Sequence, residues 1–162
     1  MAAFSDMLRK FVKRDLTYVT STYSMTIDIE KKERQLANEL NKFSGKFMSN
    51  SKWTKVFEKL SQNIDIINKC LMKDVHDELL RQIYLPTFEN VSFTFHDKGF
   101  KDYGGNQPYR FKEIQWIEFP SHWTIKSQKY KQDILKIKNQ LHNIGQLEIE
   151  CDEEKLIIYG YK

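Results

Sequence analysis

Cysteine is almost missing from this sequence, and no cysteine–histidine cluster is present. Only Cys70 and Cys151 occur in 162 residues, each inside an apolar run. We interpret both as buried, reduced thiols, because a chain of this length buries enough surface to fold without a disulfide or a metal. The four histidines are scattered without ligand spacing, so we expect neither a zinc site nor any other cofactor.

Catalytic signatures are missing too. The sequence contains no nucleophile elbow, no P-loop and no glycine fingerprint for dinucleotides. Glu113 and Glu118 lie in one predicted strand but are five residues apart, which places them on opposite faces. They therefore do not form a ready acid–base pair, and we predict that the protein is not an enzyme.

Long apolar runs are also missing. No stretch approaches the roughly 20 apolar residues of a membrane span. The basic residues near the start alternate with apolar ones, which is unlike a secretory signal. We therefore expect a cytoplasmic protein with no membrane contact and no small-molecule ligand. The hydrophobic fraction of 40% and charged fraction of 30% are typical of one folded globular protein.

A dense basic surface is missing as well. The net charge is +4; residues 1–50 carry nine Lys or Arg against six Asp or Glu, and residues 51–162 carry seventeen against sixteen. Nucleic-acid-binding proteins usually have a stronger basic footprint. Nucleic acid is therefore the second choice of partner, after a protein.

Helical periodicity dominates the first half of the chain. It predicts a basic amphipathic helix at residues 1–14, a polar helix ending at residues 44–45, and a helix capped by Asn50 or Ser51. Apolar spacing of three and four continues to Ile83, so one long helix is expected up to that residue. The inward face of the helix after the cap is predicted to comprise Trp53, Val56, Phe57 and Leu60.

Alternation replaces helical spacing after Asn90. It predicts a strand at residues 91–97, a second strand at 110–119, and a final hairpin at 147–162 with an acidic turn. A helix from Ser127 to Ile144, stopped by Gly145, is predicted between them. The expected fold is α+β: N-terminal helices followed by a β-β-α-β-β antiparallel sheet with a helix packed on it. Residues 1–48 form an N-terminal helical extension in this interpretation, and residues 49–162 form the α+β domain.

The second strand has apolar residues on both faces. Phe111, Ile117 and Phe119 fall on one face, and Ile114 and Trp116 fall on the other. This pattern indicates a central strand covered on two sides, or a strand with a bulge. We expect these residues, Trp116 included, to serve core packing.

The final hairpin is rich in carboxylates. Five of the seven residues from Glu148 to Glu154 are acidic, and alternation points Glu148 and Glu150 away from the core. Such a patch can steer a basic partner, or it can simply keep a sheet edge soluble. As a candidate binding surface it comprises Glu148, Glu150, Asp152, Glu153 and Glu154.

Three stretches resemble one family of small bacterial proteins, a domain of unknown function. They are "SNSKWTKVFEKL" at 49–60, "YRFKEIQWIEF" at 109–119 and "IIYGYK" at 157–162. They are similar to the family's Lys-Trp start, its Ile-Glu-Trp-Ile strand and its Ile-Tyr-Gly-Tyr ending. Some members look like immunity proteins of toxin loci, including contact-dependent growth inhibition systems.

The resemblance implies a bacterial immunity protein, an inhibitor that binds and neutralises one cognate toxin. A nuclease toxin, RNase or DNase, fits best, because acidic residues can occlude its cationic active site. Exposed aromatics at Tyr103 or Tyr109 would then serve as anchors. The alternative function is a nucleic-acid-binding module that uses the helix at 1–14 and the lysine face of residues 126–138.

Overall fold

The computed structural model describes residues 28–91, 98–101 and 108–162. The chain divides between Leu40 and Asn41. Residues 28–40 form helix α1, on which Leu36 is buried. The helix predicted at residues 1–14 lies outside the described residues, as does most of the strand predicted at 91–97. No helix within the described ranges is both long and apolar enough to cross a bilayer.

Five antiparallel strands form the main sheet of the second unit. In chain order they are β1 (Cys70–Asp74), β2 (Leu80–Ile83), β5 (Ile114–Pro120), β8 (Ile149–Cys151) and β9 (Lys155–Tyr159). Two separate ladders pair β3 (Gly99–Lys101) with β4 (Pro108–Arg110), and β6 (His122–Ile125) with β7 (Gln128–Lys131). The order across the main sheet is β2-β1-β5-β9-β8, so the prediction of a central strand is confirmed for β5.

A bulge divides β5 into two parts. Trp116 pairs with Lys73, and Ile114 pairs with Asp74, the next residue of β1. Gln115 is therefore the extra residue of the bulge. The Gln115 carbonyl instead accepts hydrogen bonds from the amides of Gly160 and Tyr161, at 2.7 and 3.1 Å. Ile114 is buried in the main core, and Trp116 is only half-buried. The prediction that both side chains share one face is therefore wrong, because the bulge shifts the alternation.

Helix α2 (Asn50–Gln62) packs against one face of the sheet. Its N-cap is Ser49, one residue earlier than predicted, whose hydroxyl accepts a hydrogen bond from the Lys52 amide at 3.2 Å. The Phe57 ring stacks on Phe100 and Phe111, with centroids 4.3 and 5.6 Å away. As predicted, the buried residues of this helix are Trp53, Val56, Phe57 and Leu60.

The long helix predicted up to Ile83 is wrong. Helix α2 ends at Gln62, and the following residues form β1 and β2, joined by a tight turn. In that turn the side chains of Asp74 and Asp77 each accept a backbone amide two residues later, at 2.8 Å. Apolar spacing of three and four fitted a helix, but ladder hydrogen bonds to β5 and the burial of Cys70 and Met72 select the strand.

The helix predicted from Ser127 is shorter than expected. Residues 122–131 form the β6–β7 hairpin, and α3 (Ile134–Gln140) starts after Asp133, which caps it by accepting the Lys136 amide at 3.0 Å. The helix ends at Gln140, earlier than predicted, and a separate 3-10 turn (His142–Ile144) leads to Gly145. The inward residues of α3 join the main core. The lysines of residues 126–138 therefore do not share one helix face. Three lie on the hairpin and its turn, and two lie on α3.

The final hairpin is confirmed as the β8–β9 pair. Residues 44–47 also join this end of the chain, because the amides of Gly45 and Phe47 donate to the carbonyls of Lys162 and Gly160 at 2.9 Å. Gly160 must be glycine, since a Cβ there would lie 2.3 Å from the carbonyl oxygen of Ile114. An α+β fold with an antiparallel sheet and a helix packed on it is thus confirmed, although the sheet has more strands than predicted.

Phe57 offers a direct test of the core. Replacing it with alanine removes a fully buried ring that contacts three others, so Phe57→Ala should lower the free energy of unfolding by about 3–5 kcal/mol. The measurement is urea denaturation followed by circular dichroism. Leu135→Ala, at a site that is 61% exposed on α3, should change stability by no more than about 0.5 kcal/mol. Equal losses in both variants would contradict this assignment of the core.

Candidate protein-binding surface

Two rows of side chains cross the main sheet on the face opposite the core. The first row consists of three residues that lie directly opposite one another on adjacent strands: Lys73, Trp116 and Tyr159. The second row consists in the same way of Leu71, Glu118, Ile157 and Glu150. Residues directly opposite each other share a face, as do residues two apart along a strand. We call this the outer face. It comprises Leu71, Lys73, Trp116, Glu118, Glu150, Ile157 and Tyr159.

Tyr159 is the most constrained side chain of the outer face. Its hydroxyl donates to the carboxylate of Glu150 at 2.9 Å, and its ring centroid lies 6.2 Å from that of Trp116. Burial, and after it the hydrogen bond to Glu150, raise the pKa of Tyr159 to about 12. The negative charges of Glu118 and Glu148 act in the same direction. This tyrosine is therefore an aromatic group held among three carboxylates.

Glu148 is held by the end of the chain. The Nζ of Lys162 donates to its carboxylate at 2.7 Å and lies 4.2 Å from the Tyr159 ring centroid. Because both charged groups are partly exposed, the pair contributes little stability. It does orient the lysine across the tyrosine ring. The structure thus brings Glu148 and Glu150, two of the five predicted acids, together around Tyr159.

The other three acids form the turn between β8 and β9. The carboxylate of Asp152 accepts the amides of Lys155 and Glu154, each at 2.8 Å, and these hydrogen bonds lower its pKa. The carbonyls of Glu153 and Glu154 accept the hydroxyl and amide of Ser121, at 2.9 and 2.6 Å. Asp152 thus shapes the turn, whereas the backbone of the next two residues anchors it and leaves them exposed.

Trp116 carries a polar group without a partner. Its Nε1 is buried and has no hydrogen-bond acceptor within the part of the chain that the structure describes. A buried donor without an acceptor costs about 1–3 kcal/mol. The Lys73 ammonium lies 5.9 Å from the ring but offers only donors. Trp116 was predicted to lie in the core; it instead lies half-buried on the outer face with this donor unpaired.

The two tyrosines predicted as aromatic anchors are not among the described residues of the outer face. Tyr103 lies outside the described residues. Tyr109 is on β4, where its ring packs against Phe100 at a centroid distance of 5.3 Å. The aromatic side chains of the outer face are Trp116 and Tyr159. Sequence analysis missed Tyr159, although alternation in the final hairpin, with Ile158 inward, is a signal that could have indicated it.

No three His, Cys, Asp or Glu side chains among the described residues are grouped as ligands for a metal ion. Ser121 Oγ lies 2.9 Å from His122 Nδ1, but this buried hydroxyl also donates to the Glu153 carbonyl. Chemically, the exposed carboxylates of the acidic turn and of Glu150 offer acceptors and negative charge.

The pKa of Tyr159 provides a test of its surroundings. Because it lies above the ordinary value of 10.0, the stability linked to this phenol is complete below about pH 10 and is lost as the pH rises to about 12. NMR titration of labelled tyrosine should show a resonance with this late transition that disappears in Tyr159→Phe. Glu150→Gln should move the transition to lower pH, and Glu89→Gln should not. A Tyr159 resonance that titrates near pH 10 would contradict the geometry.

Comparison with known proteins adds no relative. No family model, no curated protein and no solved structure matches this chain. The binding surface is thus characterised by the geometry of its own residues.

Proposed function

We propose that this chain is a non-enzymatic immunity protein that binds one cognate bacterial toxin and occludes its active site. The outer face and the acidic turn would form its binding surface. The resemblance of residues 49–60, 109–119 and 157–162 to a family with such members supports this proposal. The second and third of these stretches contain Trp116 and Tyr159, the two aromatics of the outer face.

The observation that carries the proposal is the position of Tyr159 among three carboxylates and next to Trp116. Strong protein–protein contacts are usually built on a few rigid aromatic anchors surrounded by polar groups. Tyr159 is held on a strand by its hydrogen bond to Glu150 and by the contacts of its ring.

A nuclease toxin suits the charge of this surface. An RNase or DNase needs a cationic site to bind its substrate, and carboxylates can occupy that site instead. The chain as a whole carries +4, so attraction of a basic partner must come from the local acidic cluster. We therefore assign steering to Glu153 and Glu154, and the bound contacts to Tyr159 and Trp116. Inhibition requires no chemical step by this chain, which would act in the cytoplasm.

Charge reversal in the turn tests steering. Glu153→Lys combined with Glu154→Lys should slow association with the cognate toxin by about tenfold or more and weaken its salt dependence. The matched control is Asp65→Lys with Glu89→Lys, which makes the same change in net charge at other exposed sites. Asp152 is left intact because its carboxylate holds the turn.

Surface plasmon resonance and survival of toxin-producing cells would serve as the two measurements. The melting temperature should hardly change in either double variant, since exposed substitutions usually cost no more than about 0.5 kcal/mol each. If the Glu153/Glu154 variant associates as fast as the control and still protects cells, the acidic turn only keeps the sheet edge soluble.

Truncation of Tyr159 tests the anchor. Tyr159→Ala should weaken toxin binding by about 2–4 kcal/mol, mainly through faster dissociation, because a central aromatic contact is lost. Phe88→Ala removes a ring that is 56% exposed elsewhere, and it should leave affinity unchanged. Isothermal titration calorimetry with the folded variants would measure both. Unchanged affinity in Tyr159→Ala would exclude the outer face as the toxin-binding surface.

A further inference from the structure

The β6–β7 hairpin carries aromatic rings on one of its faces. Trp123 and Tyr130 lie directly opposite each other, and their rings stack with centroids 5.7 Å apart and an interplanar angle of 10°. Ile125 belongs to the same face and is 50% exposed. Tyr130 is 37% exposed, so a flat apolar surface is available to a ligand next to the stacked pair.

Lysines lie beside these rings and on the other face of the hairpin. The ammonium of Lys69 lies 5.7 Å from the Trp123 ring centroid. Lys126 is exposed in the turn of the hairpin. Lys129 and Lys131 belong to the face opposite the rings, although Lys131 also lines the groove beside them. Residues 119–132 contain no aspartate or glutamate, so the hairpin is a cationic element with aromatic rings on one face.

A groove runs along the aromatic face. It has a volume of about 400 Å³, and its lining includes Lys69, Trp123, Tyr130 and Lys131, together with the amide side chain of Gln82. A second cavity of about 550 Å³ shares Lys131 with it. The two cavities together are large enough for more than one planar group in succession.

A buried glutamine holds the groove in shape. The side-chain oxygen of Gln132 (Oε1) accepts hydrogen bonds from the backbone amides of Asn68 and Lys69, both at 3.0 Å. Its amide nitrogen donates to the carbonyls of Lys69 and Pro120, at 2.9 and 2.7 Å. Three of these hydrogen bonds tie the base of the hairpin to the residues before β1, and the fourth ties it to the end of β5. The two walls of the groove are therefore joined before any ligand arrives.

We infer that this groove binds single-stranded nucleic acid. Bases stack on exposed aromatic rings, and lysine ammonium groups hold the phosphates between them. A duplex keeps its bases stacked inside and cannot use the ring of Tyr130. An acidic peptide would pair with the lysines but has no planar groups to place on the rings. The inference rests on the hairpin alone and does not depend on the proposed toxin binding.

The test is fluorescence anisotropy of a labelled single-stranded oligonucleotide of about ten nucleotides, within the usual site size of such modules. The oligonucleotide is titrated with the full-length protein. The Tyr130→Ala variant should bind it at least about tenfold more weakly, whereas the Tyr130→Phe variant keeps the ring and should bind it normally. Lys69→Gln and Lys131→Gln should each reduce the slope of log affinity against log salt by about 0.7. The matched control is Lys55→Gln, on the exposed side of α2, which should leave the slope unchanged.

Four results would overturn the inference. They are no binding at low salt, equal binding of Tyr130→Ala, equal binding of duplex, and equal competition by polyglutamate. The double variant Glu153→Lys with Glu154→Lys separates this site from the toxin-binding surface. It should bind the oligonucleotide at least as well as the unaltered chain, because it removes negative charge near Ser121, while its association with the toxin should fall.

Discussion

The structure of the second unit depends on the backbone ladders on both sides of β5. These ladders connect it to β1 and β9, and the bulge at Gln115 lets its carbonyl bind the amides of Gly160 and Tyr161. The same register decides which side chains point into the core. Ile117 turns inward, and Trp116 turns to the outer face beside Tyr159. Core packing and the binding surface are therefore two sides of one strand arrangement.

Two surfaces of opposite charge meet next to β5. The acidic turn is anchored by hydrogen bonds to Ser121, and the basic hairpin begins one residue later. Gln132 closes the same hairpin at its other end. Buried polar side chains with satisfied hydrogen bonds hold irregular connections in one conformation. Here they hold the acidic turn and the basic hairpin in fixed positions.

Sequence patterns predicted some elements well because those elements are decided locally. Alternation located β5 and the final hairpin, and helical spacing located the buried face of α2. The same helical spacing wrongly predicted helices where the structure has β1 and the β6–β7 hairpin. Apolar residues spaced by three and four near Ile67 and Leu71 fit a helix. Ser127, which was predicted to cap a helix, instead lies in a hairpin turn where Lys126 and Ser127 adopt positive φ angles of 47° and 69°. Neither residue is a usual choice for such a turn, so sequence alone did not indicate it.

The sequence by itself determined the α+β class, the central place of β5 and the acidic character of the final turn. These follow from residue type and short-range period. The tertiary structure alone decided that Trp116 faces outward, that Tyr159 lies among carboxylates from two strands, and that Lys69 lies over the Trp123 ring. The physical reason is that ladder register and a bulge bring together residues far apart in the chain, and no local pattern records that pairing.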